Sequence, residues 1–122
     1  MSNHVNTFVA NVGVINNAIL PLFKVASGHG GITVIEAEVT MLTAGTAALY
    51  LVDAGTAGTS TSGGTLATYG GTAYTAKTPI AMTISSGTSA YISAGNYLAV
   101  KEANTGSTVT VTQVAVKYRM GK

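Results

Sequence analysis

Apolar and polar positions alternate with a period of two along most of this chain. In ITVIEAEVTML (32–42), Ile35, Ala37, Val39 and Met41 form one face, continued by Thr33. Ile32, Val34, Glu36, Glu38 and Thr40 form the other. The two acids must meet solvent or a neighbour, so the Ile35 face is predicted to be the core face. AALYLVD (47–53) sets Leu49 and Leu51 against Tyr50 and Val52. IAMTI (80–84) points Ile80, Met82 and Ile84 inward. YLAVKEA (97–103) points Leu98 and Val100 inward and Tyr97, Ala99 and Lys101 outward. TLATY (65–69) and AYI (90–92) are shorter pieces of the same kind.

The last segment, TVTVTQVAVKYRM (108–120), changes phase partway. Val109 and Val111 share one face; Val114, Val116, Tyr118 and Met120 hold the apolar phase after it. A side-chain period of two would flip the buried face at Thr112–Gln113. One extra residue there, a β-bulge, resolves the conflict and bends the strand. Such a strand is expected to bridge two parts of a sandwich or to run from core packing into a subunit contact.

At the other terminus, Val5–Ile15 is extended, with Phe8 on one face and Val5 and Val9 on the other. Residues 1–17 are assigned as an N-terminal arm or terminal strand, and 18–122 as the domain. Pro21 argues against a helix interior or a central strand, so an edge strand is expected over Leu22–Ala26. Clusters of Gly, Thr, Ser and Asn punctuate the rest, at 27–31, 43–46, 85–89 and 104–107. The loop at 54–64, AGTAGTSTSGG, has no anchor larger than Ala. It is expected to be mobile or to be ordered by a partner. No helical period persists. The pattern predicts an all-β fold: a single β-sandwich, jelly-roll-like, of seven to nine short strands with an extended N-terminal segment. A barrel of simple hairpins stays open, since strand order is not legible.

Composition changes this picture in one respect. Charged residues make up 8% of the 122, against about 25% in an average domain. Nineteen Thr and nine Ser take their place. A surface with so little charge is weakly defended against association, which suits a chain that lives in an assembly. The net charge of +2 forms no basic stripe. Lys117, Arg119 and Lys122 are the nearest approach to one, so no nucleic-acid partner is expected. No apolar run approaches the length of a membrane span, and MSNHVNTFVANVG does not read as a secretion signal.

Candidate chemistry is sparse. There is no Cys, hence no thiol nucleophile, disulfide or thiolate metal site. Glu36 and Glu38 share a strand face about 7 Å apart, within the range of paired glycosidase carboxylates. The same spacing arises on any solvent face. Lys101 and Lys117 are candidate partners for these acids. His4 and His29 show no ligand spacing, and Asp53 has no second acid nearby. No Ser lies in a G-x-S-x-G elbow. No catalytic residue, cofactor or metal is therefore expected, and the chain is not read as an enzyme. Among six tyrosines, Tyr50 and Tyr97 lie opposite the apolar residues of their strands. They are the expected exposed aromatics, suited to protein or carbohydrate contact.

GGITVIEAEVTMLTAGTAALYLVDAGTAGT (30–59) and YISAGNYLAVKEANTGSTVTVTQVAVKYRMGK (91–122) carry a resemblance over about half the chain. In style and element order they resemble small β-sandwich structural proteins of tailed bacteriophages, most like capsid decoration (head-surface) proteins. The resemblance implies a virion location at the capsid surface, homo-oligomeric contacts, and the major capsid protein or another virion protein as partner. It also implies contact of Ser2–Ile15 with the shell. Tail and fibre components share the alphabet, and a carbohydrate-binding sandwich is the further alternative. The residues expected to meet partners are Val5, Phe8, Val9, Tyr50, Tyr97, Lys117 and Arg119.

Overall fold

β-Branched and aromatic residues in period-two segments favour extended backbone, because they pack well on a pleated, half-buried surface. The computed structural model describes residues 5–16, 19–26, 30–59, 64–70, 73–102 and 108–121. These hold β1 (Val5–Asn11), β2 (Val14–Asn16), β3 (Ile19–Lys24), β4 (Ile32–Met41), β5 (Leu49–Asp53) and β6 (Thr65–Tyr69). There follow β7 (Ile80–Ala81), β8 (Thr83–Ile84), a 3-10 turn (Gly87–Ala90), β9 (Tyr91–Ile92), β10 (Tyr97–Glu102) and β11 (Thr108–Met120). Among the described residues, eleven strands stand where seven to nine were expected. The surplus comes from two- and three-residue pieces that alternation alone does not resolve. His4, His29, Lys122, the turn at 104–107 and residues 60–63 of the polar loop lie outside the described residues.

The strands form two antiparallel sheets packed on one core. The six-stranded sheet runs β1-β11-β4-β7, with β2 also on β11 and β9 also on β4. The five-stranded sheet runs β3-β10-β5-β6-β8. Ile32, Val39, Met41, Val111, Val114 and Val116 come from the first sheet and meet Leu49, Leu51, Leu66, Leu98 and Val100 from the second. The inward phases of β5 and β10 are those expected from alternation.

The expected bulge in β11 is present. Val111 pairs with Met41 and Gln113 with Thr40, which leaves Thr112 as the extra residue. The Thr112 hydroxyl donates to the Thr40 carbonyl at 3.1 Å and pins the irregularity in place. Val111, Val114 and Val116 are all buried as a result. Yet β11 stays in one sheet along its whole length. The chain crosses between sheets at Met82 instead: β7 pairs with β4, β8 pairs with β6, and the Met82 amide donates to the Ala37 carbonyl at 2.9 Å.

The face assigned to β4 needs correction. Lys117 pairs with Glu36 and Tyr118 with Val34, so Ile35 is a second bulge residue. The buried set is Ile32 and Val34 before it and Ala37, Val39 and Met41 after it. Ile35 is only half-buried. The unbroken alternation on either side concealed the extra residue. Just before β4, Gly31 takes φ +95°, and a Cβ there would lie 2.6 Å from the Ile92 carbonyl oxygen. Only glycine lets β9 approach β4 so closely.

Two Ile→Ala substitutions separate these phases. Ile32→Ala is expected to cost about 2–5 kcal/mol of unfolding free energy. Ile35→Ala is expected to cost about 1 kcal/mol, in keeping with half burial. Denaturant titration of both variants measures the difference, and equal costs would contradict the placement of the bulge.

Candidate interaction surface

The seven candidate residues fall in three places. Antiparallel pairing of β1 with β11 sets Val5 opposite Arg119, Thr7 opposite Lys117 and Val9 opposite Ala115. Val5, Val9, Lys117 and Arg119 therefore share the outer face of the six-stranded sheet. Val5 is 54% and Val9 52% exposed. Lys117 Nζ lies 3.3 Å from Glu36 Oε2, so the acid finds its neighbour within the chain. Both groups are more than half exposed, and such a pair contributes about 0–1 kcal/mol. Lys101 belongs to the other sheet and does not compete for Glu36. Glu38 is exposed on the same face as Glu36.

Phe8 points the opposite way. It pairs with the buried Val116 and meets Phe23 of β3 with ring centroids 4.4 Å apart. Phe23 in turn lies 5.8 Å from Tyr118. This row of three rings closes the flank of the sandwich between β1 and β3. Two grooves open beside it. One, of about 380 Å³, includes Asn6, Phe23, Ile32, Tyr118 and Met120 in its wall. The other, of about 250 Å³, lies between Ala10–Gly13 and Leu20–Leu22.

Tyr50 and Tyr97 lie on the outer face of the five-stranded sheet, half-buried instead of freely exposed. They pack with Ile19 against Val52, Ala54 and Ala99, which form a second, smaller apolar cluster. Val52 and Ala99 pair directly across β5 and β10. Their shared outward phase, apolar in both strands, was the sequence signal for this cluster. Lys24 Nζ sits 6.0 Å from the Tyr97 ring centre and Lys101 Nζ 5.9 Å from that of Tyr50.

The described part of the loop after β5, residues 54–59, is held by contacts within the chain, and residues 60–63 lie outside the described residues. The Ala54 amide donates to Tyr97 and the Tyr97 amide to Gly55, each at 2.9 Å. Asp53 Oδ1 accepts from the Gly55 amide at 2.9 Å, and the Asn96 side-chain amide donates to both Asp53 oxygens at 3.1 and 3.0 Å. The Asp53 carboxylate thus ties two turns together. Gly58 folds back onto Tyr97 and Pro21, so backbone replaces the large side chain that the sequence lacks. Glu102, on the inward phase of β10, is 3% exposed, a burial that the sequence pattern did not assign. Among the described residues, no three of His, Asp and Glu come together to hold a metal ion.

Gly58 takes φ +75°, and a Cβ there would approach the Tyr97 ring and Pro21 to 3.2 and 3.3 Å. Gly58→Ala is expected to cost about 1–3 kcal/mol, read by thermal or denaturant unfolding. Glu36→Gln is expected to stay within about 1 kcal/mol of the parent in the same assay.

No family model, curated protein or solved structure matches the chain.

Proposed function

We propose that the chain is a structural protein of a tailed-bacteriophage virion. In this reading it decorates and stabilises the capsid surface through protein–protein contacts and does no catalysis. The observation that carries the proposal is the face shared by Val5, Val9, Lys117 and Arg119. Two half-exposed valines on a paired strand stand beside two cations, a mixture suited to an interface with an apolar centre and a charged rim. The low charge of the chain supports the same reading. A jelly-roll-like topology belongs to the proposal too. Neighbours such as β11–β4 and β10–β3 are distant in sequence, as Greek-key connections require.

A carbohydrate-binding module is the second reading, favoured by the two Tyr–Lys pairs on the opposite face. The Tyr97 ring already lies against Gly58, which leaves it less surface to offer a sugar. Tail or fibre membership would use the same valine face on a different partner.

Cryo-electron microscopy of particles purified with this chain in place tests the proposal. The expected result is repeated copies on the outer shell, with the Val5–Val9 face turned toward it. Density confined to a tail or fibre would overturn the capsid placement. On the same particles, the double substitution Lys117→Ala and Arg119→Ala is expected to lower occupancy by about tenfold, which corresponds to about 1.4 kcal/mol. Unchanged occupancy would remove this face from the contact.

A further inference from the structure

We infer that β1 is a self-pairing edge: two copies of this chain join by antiparallel β1–β1 pairing into one continuous sheet. Unpaired strand edges invite association, and proteins commonly block them with proline, lysine, bulges or very short strands. The other edges in this fold carry such blocks. β3 has Pro21, Lys24 and a bulge at Leu22. β2 is three residues, and β7, β8 and β9 are two residues each. β1 has none of them. It runs seven residues, VNTFVAN, with no proline and no charge, and pairs with β11 on one side only among the described strands.

An open edge of this kind calls for an extended, uncharged segment with alternating apolar residues. β1 itself has that composition, which commits the occupant to a second copy. Antiparallel pairing centred on Phe8 sets Thr7 opposite the partner's Val9 and Val5 opposite the partner's Asn11. Each exposed valine gains a neighbour, and no charged residue faces another across the new ladder. The nearest charges, Lys117 and Arg119, stand one strand back on β11. Row by row, Arg119 and Val5 continue into the partner's Asn11 and Gln113, both neutral. On the inner side Phe8 meets the partner's Phe8 and extends the aromatic row through Phe23 and Tyr118. Asn6 falls opposite the partner's Ala10, so the larger groove of one copy adjoins the smaller groove of the other. Such a two-fold contact uses the same edge on both copies. It closes after two subunits and leaves no β1 edge open for fibre growth.

The pairing does not depend on the virion reading, so the test uses purified full-length chain with no particles present. Sedimentation equilibrium across the micromolar range is expected to show a dimer. Val9→Lys, an exposed position, is expected to weaken association by about tenfold or more through like charges near the dyad, with an unchanged melting profile. Register is tested by single-cysteine variants, which the cysteine-free chain makes unambiguous. Residues directly opposite in an antiparallel ladder lie about 4.5–5.5 Å apart at Cα, within disulfide reach. A mixture of Thr7→Cys and Val9→Cys protein is expected to crosslink on mild oxidation, and Ala115→Cys, one strand back, is not. A monomer at all concentrations, or a dimer that Val9→Lys leaves intact, would overturn the inference. So would efficient crosslinking through Ala115→Cys with none between Thr7→Cys and Val9→Cys.

Discussion

The extra residue at Thr112 is the constraint on which the six-stranded sheet depends. β11 is thirteen residues long and holds β1 and β2 on one side and β4 on the other. A strand of that length with strict alternation would present one face throughout. The bulge lets Val111 and Val114 both face the core although an odd number of positions separates them. β4 carries its own extra residue at Ile35, so each of the two longest strands changes phase once and both keep their apolar residues on one core. The second sheet packs onto the surface that these matched irregularities create.

From this frame follow two unlike outer faces. The six-stranded sheet presents Glu36, Glu38, Lys117 and Arg119 around the exposed valines of β1. The five-stranded sheet covers its outward apolar residues with Tyr50, Tyr97 and the loop that Asp53 fixes. The two sheets also differ at the flank they share. β3 is blocked by Pro21, and β1 is left open above the Phe8–Phe23 contact. The exposed valines and the longest uncharged strand edge thus fall on one sheet.

Much of this was legible in the sequence, and the failures have physical causes. The bulge in β11 showed itself because valines stand on both sides of the phase change. The bulge in β4 did not, because Ile32 and Val34 also fit the outward pattern set by Glu36 and Glu38. Alternation in β5 and β10 correctly separated Leu49, Leu51, Leu98 and Val100 from Tyr50 and Tyr97. The apolar outward phase of Val52 and Ala99 signalled a second cluster, but alternation could not report that Gly58 folds back beside Tyr97 to cover part of it. The split of 80–84 between two sheets was invisible for a related reason: Ile80, Met82 and Ile84 alternate without a break while the strand changes its pairing partner at Met82. Of the candidate contact residues, Val5, Val9, Lys117 and Arg119 converge because of strand register. Sequence reasoning named each of them without a basis for placing them together.

Amide hydrogen exchange resolved by residue on the purified chain tests the central claim most directly, namely that β11 paired with β4 is the spine of the fold. The account predicts that the amides of Val111–Val116 and their β4 partners exchange slowest, through opening events as large as global unfolding. The two-residue strands β7, β8 and β9 exchange sooner. If β11 exchanged as fast as those short strands while β5 and β10 stayed protected, the spine would lie in the other sheet and the account would be wrong.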